Sequence, residues 1–203
     1  MIKLLKFIYH LYRKPINCIN IYLQRWFNFI QPNFIKLVTR HIMLIDFPNF
    51  NQITLCEGSG TVVIGKACMF GYKLGGFNRS GCVELQARTK ESKIKIGNNV
   101  LTNNNIFLCA ANYIEVGDDS LIGQNVTIMD FEAHGLQPDK RRDIGEIGKV
   151  IVGRNCWIGN NVTILKNSEI GENTIVATGA VVSGIFPANV IIGGVPAKII
   201  KTL

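Results

Sequence analysis

Two hydrophobic textures divide the chain. Near the start, Lys3, Lys6, His10, Arg13 and Asn17 fall three or four residues apart, with Ile2, Leu4, Leu5, Phe7, Ile8, Leu11 and Tyr12 on the remaining faces. This is the spacing of an amphipathic helix. Pro15 suits a first helical turn. Beyond it Asn17, Asn20, Gln24, Asn28 and Gln31 keep the spacing, Trp26, Phe27, Phe29 and Ile30 fill the apolar side, and Pro32 ends the second predicted helix. From about residue 52 the pattern changes to a period of six. Val152, Ile158, Ile164, Ile170, Val176 and Val182 follow one another at that interval, and small or short residues (Cys156, Val162, Ser168, Thr174, Ala180) lie four positions after the first five. Upstream, Val116, Ile122 and Ile128 keep the period, Ile96, Thr102 and Leu108 precede them with a two-residue slip at Ile114, and Ile64 and Phe70 extend it further.

A period of six fits neither the 3.6-residue stripe of a helix nor the alternation of strands joined by hairpins. It predicts short strands separated by tight turns that coil into parallel ladders, each aliphatic side chain stacking on its counterpart one coil away. Gly and Asn at the corners are expected to take the positive φ angles of the turns. The repeat is interrupted between Ile128 and Val150 by a loop rich in charge, about residues 130–149, that holds His134. Long insertions in a solenoid are more often functional than idle.

Charge sharpens this division. The net charge is +8, yet residues 1–45 hold Lys3, Lys6, Arg13, Lys14, Arg25, Lys36 and Arg40 with no Asp or Glu, so the body is nearly neutral. A basic, aromatic-rich end on a neutral body argues for a membrane surface or an anionic partner rather than nucleic acid, for which no motif is present. The same helices can equally cover an open end of the main domain. The expected division is a basic amphipathic helical segment over 1–45 and a β-helix over 46–203. No apolar run reaches the length of a membrane span, and Lys3 and Lys6 interrupt the only stretch resembling a signal peptide. Six Cys without a CxxC pair suggest reduced thiols, so a cytoplasmic protein, peripheral on the membrane's inner face at most, is expected.

Val152-Gly-Arg-Asn-Cys-Trp-Ile-Gly159, Ile170-Gly-Glu-Asn-Thr174 and Gly193-Gly-Val-Pro-Ala-Lys198 resemble the hexapeptide-repeat acyltransferases, most closely the branch of galactoside, maltose, xenobiotic and polysaccharide O-acetyltransferases. The resemblance spans roughly residues 60–201. It implies an all-β fold, a left-handed parallel β-helix of triangular section with three hexapeptides per coil, here with an N-terminal α-helical extension and one extruded catalytic loop. It also implies a homotrimer with sites between subunits, acetyl-CoA as co-substrate, no metal, and a sugar or polysaccharide acceptor.

Moving an acetyl group from a thioester to a sugar hydroxyl requires a base, and His is the side chain best matched to that task near neutral pH. His134 is the expected base. Asp130 or Glu132, with Asp130 preferred, or else a backbone carbonyl, would orient its imidazole. By resemblance, Asn103 and Asn105 are both admissible as the acceptor-site Asn, and Trp157 falls where relatives hold substrate and pantetheine. Asn160, Thr178 and Ser183 would serve the acyl donor, and Lys198 and Lys201 the CoA phosphates. Lys140, Arg141 and Arg142 form a basic patch beside the loop, with Arg141 the candidate for an anionic group on the acceptor. Two departures matter: Ala110-Ala111 stands where several sugar acetyltransferases carry Asp, which weighs against a simple galactoside or maltose acceptor, and Gly184 stands where they carry Lys. An N-acetyltransferase acting on an amino sugar and a non-catalytic solenoid scaffold are the alternatives. A zinc site of three His is not available in the repeat, and no Gly-x-Ser-x-Gly elbow supplies a nucleophile.

Overall fold

The computed structural model describes residues 19–203. The first predicted helix, and the start of the second at Asn17, lie outside the described residues. Short strands wind into a parallel β-helix with three flat faces, of seven, eight and six strands. Each turn contributes one strand to the first face, one to the second and one to the third, as in Tyr113–Val116, Leu121–Ile122 and Thr127–Met129. All neighbouring pairs are parallel and in register except at the C-terminus, where Ala197–Thr202 folds back antiparallel on Val190–Gly194.

The six-residue period maps directly onto this geometry. Val152, Ile158, Ile164, Ile170, Val176 and Val182 all point inward and are almost fully buried, as are Cys156, Val162, Ser168, Thr174 and Ala180 between them. Each coil thus stacks aliphatic residues on aliphatic residues along the axis, burying roughly 1.5–3 kcal/mol per large side chain. At the corners the positive φ falls mainly on Asn: Asn105, Asn125 and Asn161 at one, Asn155, Asn173 and Asn189 at another. Their amides bond to one another up the stack at 2.9–3.0 Å. The glycines that follow the aliphatic positions serve differently from the expected φ > 0. A Cβ on Gly153 would lie 2.7 Å from the Glu172 nitrogen, and one on Gly159 2.7 Å from the Thr178 nitrogen, so these glycines let successive coils approach.

The first coil begins earlier than the expected residue 46, because Ile42–Leu44 pairs in parallel with Thr61–Ile64. Ahead of it, residues 19–25 are helical and run into a wider π turn at Trp26–Ile30, followed by a short helix at Phe34–Val38. This segment caps the open end of the solenoid. Phe29 is fully buried and stacks on Phe50 at 3.9 Å, Phe50 in turn stacks on Phe70 at 5.4 Å, and the buried Asn33 side chain bonds to the Thr54 carbonyl and the Cys56 nitrogen. Its outer side leaves Tyr22, Trp26, Phe27, Phe34 and Ile35 exposed.

Two segments leave the coil. One is the expected loop between Met129 and Lys149 at the corner joining third and first faces. The other, between Phe70 and Val83 at the corner joining second and third faces, carries no signal as strong as a broken period. The buried Asn104 pins it: its amide donates to the Tyr72 and Gly76 carbonyls and its oxygen accepts from the Tyr72 nitrogen.

Candidate active site

Outward-pointing residues of the second face form one row along the axis. In register order they are Asn49, Met69, Leu101, Leu121, Trp157, Ile175, Ile191 and Lys201. Trp157 sits mid-row with half its surface exposed (55%), which core packing would not leave. Around it lies an open groove of about 340 Å³ lined by Tyr72, Leu101, Asn103, Leu121, Trp157 and Asn160, among others. The structure thus separates the two candidate asparagines. Asn103 faces this groove, whereas Asn105 is a corner residue with φ of 60°, its amide bonded to Asn125 and its nitrogen to Gln52. Tyr72, Leu101 and Leu121 are groove residues that sequence reasoning missed. The alternation of the second-face strands is a signal for the two leucines, and nothing in the repeat marks Tyr72.

Below Trp157 the same face continues toward Ile191 and the returning strand, which sets Lys201 opposite Ile191 and Lys198 opposite Gly193, both lysines exposed. Asn160 and Thr178 occupy the adjacent corner on consecutive coils, where the Gly179 nitrogen donates to the Asn160 carbonyl. An apolar track that ends in two lysines fits a donor with a long uncharged arm and a phosphorylated end. Ser183 does not join this group, since it lies at the corner between third and first faces.

That other corner carries the loop of His134. The loop is a narrow hairpin: Phe131 bridges Ile147, the Glu132 nitrogen donates to the Glu146 carbonyl, and Gly135 donates to Asp143. At its base the Lys166 ammonium pairs with Glu146 at 2.5 Å and with Glu132 at 3.3 Å. The Lys166 ion pair and hydrogen bond hold Glu146 below the ordinary carboxylate range, and Glu146 in return raises Lys166. His134 itself is exposed, and its Nδ1 lies 2.8 Å from the Arg141 carbonyl. A carbonyl only accepts, so Nδ1 carries the proton and Nε2 presents its lone pair outward.

Neither expected carboxylate therefore orients the imidazole. Asp130 is completely buried, and its two oxygens accept from the Ala111 and Asn112 nitrogens at 2.7 and 2.9 Å. It holds the widened corner that produces the two-residue slip in the repeat before Ile114. Glu132 is engaged by Lys166 and the Glu146 nitrogen. Arg141 acts through its backbone, and its side chain is exposed beside Lys140 and Arg142.

The candidate residues fall into two sets on one chain. His134, Arg141 and Ser183 occupy the corner between third and first faces, while Asn103, Trp157, Asn160, Thr178 and the two lysines belong to the second face and its far edge. The third face lies between them. Thiol nucleophiles offer no substitute among the described residues: burial raises every described cysteine above its ordinary range, Cys56 to about 12.

Residues 149–184 match the bacterial transferase hexapeptide family model of six repeats. The chain is 35% identical over 120 residues to WbbJ of Escherichia coli, assigned to lipopolysaccharide biosynthesis as an O-acetyl transferase, with 53% of this chain and 60% of that protein aligned. It is 32% identical over 114 residues to the Escherichia coli galactoside O-acetyltransferase, covering 55% of each. The chain thus spans little more than half the length of these relatives. Among solved structures it is similar to AntD, an N-acyltransferase from Bacillus cereus bound to dTDP and 3-hydroxybutyryl-CoA, with TM-score 0.62, 18% identity and coverage of 83% and 87%. A galactoside acetyltransferase bound to coenzyme A superposes with TM-score 0.51, 21% identity and coverage of 89% and 77%. These likenesses establish the fold as the left-handed β-helix of the hexapeptide acetyltransferases.

Proposed function

Taking the chain as a hexapeptide-repeat transferase, we propose that it moves an acetyl group from acetyl-CoA to a sugar hydroxyl of a polysaccharide or of its lipid-linked or nucleotide-linked precursor, with His134 as general base. The observation that carries this reading is the bond from His134 Nδ1 to the Arg141 carbonyl, which fixes the tautomer with a basic Nε2 facing outward from a braced loop. Nε2 takes the acceptor hydroxyl proton as the oxygen attacks the thioester carbonyl. The tetrahedral intermediate collapses with expulsion of the CoA thiolate, which takes the proton from the imidazolium. Trp157 and the apolar row below it seat the pantetheine arm, Lys198 and Lys201 meet its phosphates, and Asn103 orients the acceptor.

The separation of the two residue sets supports assembly into a homotrimer, in which one chain's His134 loop meets the second face of its neighbour. Sedimentation showing a fully active monomer would overturn that assembly. For the N-terminal cap, exposed aromatics beside Arg25, Lys36 and Arg40 support peripheral contact with an anionic membrane from the cytoplasmic side. No described helix is long and apolar enough to cross one.

The test is a screen of glycans and amino sugars with acetyl-CoA, scoring free CoA and acetylated product. An alkali-labile acetyl ester that disappears with His134→Ala is expected. An alkali-stable amide would replace this reading with N-acetylation, and no transfer to any acceptor would favour a scaffold.

A further inference from the structure

Above Trp157 the row of the second face runs through Leu121, Leu101 and Met69 to Asn49, four coil steps of about 4.8 Å, or roughly 19 Å. Hollows that share lining residues lead from this row to the N-terminal cap. Met69 borders both the Trp157 groove and a second hollow of about 230 Å³ that is flanked by Arg25 and Lys73. Arg25 borders in turn a third hollow of about 440 Å³ lined by Ile19, Tyr22, Leu23, Trp26, Ile30 and Phe47. Chemically the path reads as a mixed groove, in which Asn103 and Asn160 sit among leucines and Trp157, then a cationic neck, then an apolar chamber. The neck carries two cations without a counter-ion: Arg25 and Lys73 form no ion pair among the described residues. The Arg25 guanidinium is fixed over the Phe47 ring at 4.9 Å, and its NH2 group bonds to the Phe47 carbonyl at 3.3 Å.

We propose that this path receives an acceptor glycan carried on an isoprenoid diphosphate. The prenyl chain enters the Trp26 chamber, the diphosphate lies between Arg25 and Lys73, and the sugar descends the second face to Trp157. The inference rests on the acyltransferase reading for the lower end of the path, but its charge and polarity order stands independently. A free glycan leaves the neck and chamber empty. A nucleotide sugar places phosphates at the neck but has nothing apolar to fill the chamber. The rise from Trp157 to the neck exceeds the length of one hexose ring, so the acetylated sugar is separated from the diphosphate by at least one further residue.

Calorimetry on the full-length protein with farnesyl diphosphate, farnesol and inorganic diphosphate tests the proposal, with Trp26 fluorescence in a Trp157→Phe background reporting the chamber. Farnesyl diphosphate is expected to bind at least about tenfold more tightly than either fragment, and Arg25→Gln or Lys73→Gln to weaken it about tenfold. Lys73 is exposed on a loop, so its variant keeps the test valid if Arg25→Gln fails to fold. Equal binding of farnesol, insensitivity to Lys73→Gln, or Trp26 fluorescence that farnesyl diphosphate leaves unchanged in the absence of vesicles would each overturn the site. Acetyl transfer to soluble glycans is measured separately: transfer without farnesyl diphosphate binding sinks this inference alone, and binding without transfer to any acceptor sinks the acyltransferase reading alone.

Discussion

The two segments that leave the coil, residues 71–82 and 130–148, solve opposite problems. The longer one carries the imidazole on a hairpin paired along its length, Phe131 with Ile147 and Gly135 with Asp143, and is tied to the solenoid at its base by Asp130 to Ala111 and Asn112, by Asn112 to the Gly148 carbonyl, and by Lys166 and Asn167 to Glu146. The shorter one carries no base, and three hydrogen bonds from a single buried side chain, Asn104, fasten it to the solenoid. A loop that carries a reactive group far from its base needs stiffness along its length. A loop that walls a groove on its own chain needs attachment to that chain.

The comparison breaks most sharply at His134. Replacing it by Ala is expected to lower acetyl transfer by about 10²–10⁴-fold with CoA affinity nearly unchanged, since the track proposed for CoA runs along the second face. Steady-state rates and CoA titration check both halves. Asn104→Ala should act on stability instead, costing about 1–3 kcal/mol because a fully buried side chain and its three hydrogen bonds to the Tyr72 and Gly76 backbone are lost. Thermal melting reads that loss, and a raised acceptor KM should accompany it as Tyr72 leaves the groove.

Asp130→Asn separates the base of the longer loop from its chemistry. An amide can satisfy only one of the two nitrogens that the carboxylate now serves, so a loss of about 1–3 kcal/mol is expected in denaturant melts. Transfer by the fraction still folded should stay near wild type; a catalytic loss as large as that of His134→Ala would restore Asp130 as the orienting group. The smallest effect concerns the Lys166 cluster, a surface ion-pair group in which Glu146 is exposed and Lys166 and Glu132 are partly covered. Glu146 is held below the ordinary carboxylate range, so its share of the bracing is present at neutral pH and lost as pH falls through that lowered range. Lys166 is held above its ordinary range, so its share is present at neutral pH and lost only as pH rises through that raised range. Limited proteolysis of the loop should be flat through neutral pH and rise on acidification, and Lys166→Met should remove the acid-side step.

Sequence was informative about the two loops to different degrees. The longer one interrupts a period kept by Ile122 and Ile128 on one side and Val152 and Ile158 on the other, so its place is visible. The shorter one falls where the repeat is thin, between Phe70 and Ile96, and Asn104 reads there as one more turn residue among three. Asp130 misled for a related reason: its spacing from His134 suggests an orienting carboxylate, yet sequence spacing within a loop says nothing of which way a side chain turns. Its oxygens face inward because the two extra residues of the preceding coil leave two amides that need an acceptor.

The sequence by itself determined the solenoid, because a six-residue aliphatic period has one way to bury every repeat against the next, and each inward residue can be read without knowing its partner. It also determined that the imidazole stands outside that core. What only the tertiary structure decided is which exposed residues share a surface. Positions as distant as Asn49 and Lys201 fall on one row because coiling returns the chain to the same face once per turn. His134, twenty-three residues before Trp157, is sent to a different corner by a loop that leaves the coil before the second face comes round again.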